Sequence, residues 1–102
     1  DLPDMKYLLF CGEALYNDVT YSFSKCIPNA SIFNVYGPTE ATIFCSFYNY
    51  VPGSGKIKNG IISIGKPMKF SDMVITDDSG QLAEPMNKGH LCLGGKQLTP
   101  GY

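Results

Sequence analysis

Asn34-Val35-Tyr36-Gly37-Pro38-Thr39-Glu40 places an aromatic ring, a permissive glycine, a rigid proline, a hydroxyl and a carboxylate within seven residues. An apolar run leads into it and ends at Tyr36; Ala41-Thr42-Ile43-Phe44 follows. These residue types suit a nucleotide: a flat ring for a base, a hydroxyl near phosphate, a carboxylate for a metal. Gly-Pro also suits a tight turn that needs shape alone.

Upstream, Tyr7-Leu8-Leu9-Phe10-Cys11 is an apolar run of strand length, the pattern of a strand buried on both faces in a parallel sheet. Gly12-Glu13-Ala14 turns the chain. Asn17 or Asp18 offers a side-chain oxygen to cap a helix. Leu15, Val19, Phe23 and Cys26 give that helix a one-sided apolar stripe. Pro28 ends it, since the residue before a proline is pushed out of helical geometry. Ser31 to Tyr36 reads as a second strand. Strand, helix, strand with short links is a βαβ unit with parallel strands. In such a unit the loops after both strands leave at the carboxyl edge, where open α/β sheets bind ligands. Gly12-Glu13-Ala14 and Gly37-Pro38-Thr39-Glu40 are therefore expected side by side.

After Ala41 the character changes. Cys45 to Val51 has strand propensity and closes on Pro52-Gly53-Ser54-Gly55. Ile61-Ile62-Ser63-Ile64 runs into Gly65-Lys66-Pro67. Asp72 to Thr76, turned by Asp77-Asp78-Ser79-Gly80 into Gln81-Leu82-Ala83, has a hairpin signature, and Lys88-Gly89 opens a last strand, His90 to Leu93. The fold class expected is α/β: a βαβ unit from a larger parallel sheet, then an antiparallel, barrel-like β segment. The division falls at residues 1–45, an α/β nucleotide-site segment, and 46–102, a β-rich segment, both parts of one larger domain.

Composition narrows the partners. A chain of 102 residues with net charge −1 lacks the clustered Lys and Arg that bind nucleic acid. It has no apolar run of about 18 residues to span a membrane, and nothing reads as a signal peptide. Cys11, Cys26, Cys45 and Cys92 form no CxxC pair, and His90 is the single histidine, so neither a zinc site nor a disulfide scaffold is indicated. Reduced thiols in a cytoplasmic protein are the simplest account. Gly95-Lys96 lacks the remainder of a P-loop, and Lys58 breaks the dinucleotide pattern begun by Gly53 and Gly55. Asp77-Asp78 lacks the further ligands of a calcium loop. Asn29-Ala30-Ser31 is a sequon without a secretory context.

Three motifs carry a family resemblance. Asn34-x-Tyr36-Gly37-Pro38-Thr39-Glu40 resembles the N-x-Y-G-P-T-E signature of the adenylate-forming superfamily, which includes acyl-CoA synthetases, nonribosomal peptide synthetase adenylation domains and D-alanine–carrier protein ligases. Gly89 to Tyr102 is similar to the later G-E-L-C-x-G-G-x-x-L-x-x-G-Y motif, and Phe10-Cys11-Gly12-Glu13-Ala14 resembles the loop before both. The motifs stand in the family's order and cover almost the whole chain. His90 departs from the usual Glu, and Tyr16 replaces a common proline.

The resemblance implies an ATP- and Mg²⁺-dependent ligase. It would join an amino-acid carboxylate to the α-phosphate, release pyrophosphate, and pass the aminoacyl group to the phosphopantetheine thiol of an acyl or peptidyl carrier protein. Thr39 and Glu40 would be catalytic, Thr39 donating to the α-phosphate and Glu40 holding Mg²⁺. Gly12, Glu13, Ala14, Asn34, Tyr36, Gly37 and Thr39 would bind the nucleotide, Tyr36 by stacking on adenine and Asn34 by a hydrogen bond to the base. Asn34 and Glu13 have a second reading as braces of their turns. Leu9, Cys11, Val35, Ile43 and Phe44 would line an apolar side-chain pocket. Cys11 looks like the D-alanine ligases. Phe44 is larger than they tend to have, and Leu98 to Tyr102 is closer to peptide synthetases, so the amino acid stays open.

The family's Gly-rich phosphate loop, ribose-binding Asp and catalytic Lys have no counterpart in these residues. The chain therefore reads as a segment of a longer enzyme, inert alone, whose unpaired strand edges favour self-association. The alternative is a non-catalytic module that uses the same fold to hold a nucleotide or a carrier protein. The phosphate loop and lysine of the parent chain discriminate the two.

Overall fold

The computed structural model describes residues 1–101, so Tyr102, the last residue of the later motif, lies outside the described residues. The elements run β1 (Tyr7–Phe10), α1 (Asn17–Ser24), β2 (Ser31–Tyr36), a 3₁₀ turn (Thr39–Ala41), β3 (Ser46–Tyr50), β4 (Ile57–Lys58), β5 (Ile61–Ile62), β6 (Lys66–Pro67), β7 (Ser71–Thr76) and β8 (His90–Gly95).

β1 and β2 pair in parallel, from Tyr7 opposite Ser31 to Phe10 opposite Asn34, with α1 between them in sequence. This is the expected βαβ unit. β3 then folds back antiparallel on β2, and β6 joins the far side of β3, giving a four-stranded sheet in the order β1-β2-β3-β6. Two antiparallel pairs, β4-β5 and β7-β8, complete the β-rich part. Its antiparallel character is as expected, but the strands form separate sheets and no closed barrel appears among the described residues.

One face of the main sheet carries the core. Leu15, Ile27, Ile32, Tyr50 and Ile62 are buried together, with Met5, Leu8, Phe10, Ala30 and Tyr48 packed around them. On the other face the β1 end is open: Tyr7 and Leu9 are 68% and 53% exposed, so β1 is not covered on both sides as expected, while Val35 of β2 is buried. The radius of gyration is 15.4 Å, against about 13 Å for a compact chain of ~100 residues.

The helix departs from expectation in three ways. Its N-cap is Tyr16, with no side-chain cap bond. Asn17 instead accepts the Tyr50 hydroxyl at 2.9 Å, and Asp18 accepts from the neighbouring Val19 N–H. The helix ends at Ser24, four residues before Pro28. Thr20 faces inward, its hydroxyl satisfied by the Tyr16 carbonyl at 2.7 Å, while Val19, Phe23 and Cys26 of the apolar stripe stay exposed. With eight residues, α1 depends on packing rather than on propensity.

β7 has the partner its turn suggests on one edge and a longer partner on the other. Asp77 accepts the N–H of Ser79 and of Gln81 and the Ser79 hydroxyl, so the tight turn forms. These bonds, Ser79 foremost, hold the Asp77 carboxyl below its ordinary pKa. Gln81 to Ala83 returns along β7 through the Leu82–Thr76 bridge, with Asp77 N–H donating to Gln81 and Ala83 N–H to Ile75, while the longer ladder runs to β8 over six residue pairs.

Candidate functional site

The loops after β1 and β2 lie together. Gly12, Glu13 and Ala14 share one cavity of about 360 Å³ with Asn34, Val35, Tyr36 and Gly37. Leu15, Ile61, Ile62 and Ile64 complete its lining. The sequence reading missed these four; the signal was the apolar triplet around Ser63 just before Gly65. Gly12 turns the chain at φ 101°, a value glycine tolerates freely.

The isoleucine wall is tied on both sides. Ile62 N–H donates to the Leu15 carbonyl at 2.9 Å, and Asn17 N–H to Gly60 at 2.8 Å. From β2 the buried Asn34 amide donates to the Ser63 carbonyl at 3.0 Å and to Ile62 at 3.4 Å. Ser46 Oγ donates to Ile64 at 2.9 Å. The Asn34 amide nitrogen thus joins the strand of the signature to the opposite wall of the cavity.

Beyond Tyr36 the chain doubles back tightly. A Cβ on Gly37 would stand 2.3 Å from Phe44 Cα, so only glycine admits this approach. Pro38 is extended and precedes the 3₁₀ turn that presents Thr39 and Glu40 at the surface. Thr42 and Ile43 follow in the left-handed region, at φ 57° and 83°. Cys45 N–H closes the loop on the Tyr36 carbonyl at 2.7 Å. Burial pushes the Cys45 thiol above its ordinary pKa, partly offset by a backbone hydrogen bond.

Alternation along β2 sorts the remaining residues. Leu9 stands opposite Phe33, and Val35 opposite Phe47, so these four share one face while Asn34 and Tyr36 take the other. Phe33 and Phe47 confirm the shared face by ring contact at 6.4 Å. Cys11 is exposed and lines a second cavity of about 410 Å³ with Phe10 and Gly12 to Leu15. Ile43 is exposed and Phe44 half-buried on the loop. Thr39, Glu40, Leu9, Cys11, Ile43 and Phe44 are not part of the first cavity's lining.

Among the described residues no three His, Cys, Asp or Glu side chains are grouped to hold a metal. Glu40 could supply one carboxylate oxygen to Mg²⁺, with phosphate and water supplying the rest, which is how that ion is commonly bound.

The family described as "AMP-binding enzyme" matches residues 1–102. Malpinin synthetase of Mortierella alpina is 40% identical over 102 residues, 99% of this chain and 1% of the relative. D-alanine–D-alanyl carrier protein ligase of Bacillus cytotoxicus is 34% identical over 103 residues, 99% of this chain and 20% of the ligase. The adenylation domain AlmE of Vibrio cholerae, solved in complex with glycyl-adenosine-5'-phosphate, superposes with a TM-score of 0.83 at 30% identity, covering 99% of this chain and 19% of that one. The chain thus spans a fifth or less of these relatives.

Proposed function

The chain belongs to the AMP-binding enzyme family, and from that premise we propose that it is the part of an ATP-dependent amino-acid ligase that grips the nucleotide. The observation that carries this reading is the single cavity formed by Gly12-Glu13-Ala14 and Asn34 to Gly37. Tyr36 stacks on adenine, a contact worth about 1–3 kcal/mol by analogy with other base–aromatic pairs. The Gly12-Glu13-Ala14 backbone meets the adenine edge, and Asn34 serves the base through the Ile62–Ser63 wall that it holds.

The substrate carboxylate attacks the α-phosphorus, the bond to pyrophosphate breaks, and an aminoacyl-adenylate forms. A carrier-protein thiol then attacks the acyl carbon, AMP leaves, and the thiol proton is lost to solvent. Both reactants of the first step are anionic, so catalysis is mainly positioning and charge neutralisation. Thr39 donates to the α-phosphate oxygen, and Glu40 is the residue that would hold Mg²⁺. When bound, that ion neutralises phosphate charge.

Leu9, Cys11, Val35, Ile43 and Phe44 form the apolar side that takes a small or aliphatic amino acid. The name of one relative supports the acceptor, a D-alanyl carrier protein. We keep residues 1–45 as the nucleotide segment and 46–102 as the β-rich segment of one adenylation domain. No helix among the described residues is long and apolar enough to cross a membrane, and we place the enzyme in the cytoplasm, where ATP is available. Pyrophosphate exchange by the full-length enzyme, run across D- and L-amino acids, tests the reading. Exchange stimulated by a small apolar amino acid is expected; exchange with none sinks it.

A further inference from the structure

Thr42 and Ile43 are two consecutive β-branched residues in the left-handed region, a conformation that side chains branched at Cβ rarely adopt. Such backbone persists only where its surroundings hold it. The hold comes from a segment 55 residues further on. Gln97 Nε2 donates to the Ala41 carbonyl at 2.8 Å and to the Phe44 carbonyl at 3.1 Å. One amide therefore fastens both ends of the left-handed bend. The bond is returned: Thr42 Oγ1 donates to the Gln97 carbonyl at 2.6 Å, and Thr99 N–H donates to the Glu40 carbonyl at 2.8 Å.

Side-chain chemistry makes the choice of residue specific. The glutamine NH₂ carries two donors without charge, matching two carbonyl acceptors that face the same point. Methionine has similar length and no donor. Glutamate would set a carboxylate against the carbonyls. Without the amide both carbonyls turn to water, and the extension of β8 holds the bend only through the Thr42 hydroxyl bond to the Gln97 carbonyl and the Thr99 N–H bond to Glu40.

We infer that Gln97 is a positioning residue for the adenylation step, fixing Thr39 and Glu40 by clamping the bend that follows them. This rests on the reading of Thr39 and Glu40 given above. A displacement of about 1 Å at a reacting group can lower a rate roughly a hundredfold, so the clamp acts on turnover more than on amino-acid binding.

The test uses the full-length enzyme carrying Gln97→Met. Pyrophosphate exchange is measured with the acid that gives exchange in the wild type, glycine and D-alanine being tried first. Amide hydrogen exchange is followed at Thr42, Cys45 and Thr99, with Ala30 as a distant reference. The expected result is a fall in kcat of roughly tenfold or more per folded molecule, with KM for the amino acid changed less than about threefold. The three loop amides exchange faster and Ala30 does not. Unchanged kcat, a rise in KM alone, or unaltered loop exchange overturns the inference. Should the methionine variant not fold, Gln97→Asn, one methylene shorter, is read by the same criteria. Thr39→Ala and Glu40→Gln separate the two levels. If both keep full exchange, the reading of those residues falls; if both lose it while Gln97→Met keeps kcat, only the clamp falls.

Discussion

Replacing Asn34 by leucine keeps approximate volume in a buried position and removes the amide that joins β2 to the Ile62–Ser63 wall. The bond to Ser63 at 3.0 Å is well formed, and the one to Ile62 at 3.4 Å is long enough to count for little. A buried acceptor deprived of its donor costs about 1–3 kcal/mol. The expected loss of stability for Asn34→Leu is therefore ~2 kcal/mol, carried by one good hydrogen bond and the carbonyl it leaves behind. Denaturant unfolding of the full-length enzyme measures it, and calorimetry on the folded fraction gives the ATP affinity. Both stability and affinity should fall, because the displaced wall lines the cavity proposed for the nucleotide. Stability unchanged to within about 0.5 kcal/mol, the scale of an ordinary surface substitution, would refute the bracing role. If ATP affinity fell all the same, the Asn34 amide would be acting on the base itself.

Gly37→Ala drives a methyl against the Phe44 and Cys45 backbone, which no rotamer change relieves, so a loss of at least ~1–3 kcal/mol is expected in the same unfolding assay. Burial raises the Cys45 thiol pKa, so its contribution to stability is complete below the unfolded thiol value near about 8.5 and disappears as pH climbs through the higher folded value. Alkylation followed by peptide mapping should accordingly label the exposed Cys11, Cys26 and Cys92 well before Cys45, and equal rates would contradict the burial. The 102-residue chain alone should catalyse no pyrophosphate exchange and should associate through the bare face and outer edge of β1. Light scattering that finds only monomer at high concentration counts against the association, and Leu9→Lys should weaken it.

Much of this arrangement was legible before coordinates. The apolar runs at Tyr7 to Phe10 and Ser31 to Tyr36 are both strands, and the rule that parallel strands release their loops at one edge brought Gly12-Glu13-Ala14 beside Tyr36-Gly37. The errors have local causes. Val19 and Phe23 read as a core stripe because periodicity records which residues are apolar, not whether another element covers them. The Asp77 turn and its short return through Leu82 formed as read, but the longer pairing of β7 with β8 joins segments distant in sequence and carried no local signal. Gln97 left no trace because it works on backbone carbonyls, which look alike in any sequence.

The alternation of β2 has a consequence for how such an enzyme diversifies. On the proposed function, substitutions at Leu9 alter the face opposite Asn34 and Tyr36, so acid preference can change there without touching the nucleotide side, whereas Val35, which also lines the shared cavity, couples the two. Inserting or deleting a single residue within Ser31–Tyr36 has the opposite effect, since a one-step slip sends every side chain to the wrong side. Point changes tune this strand; length changes destroy its division of labour.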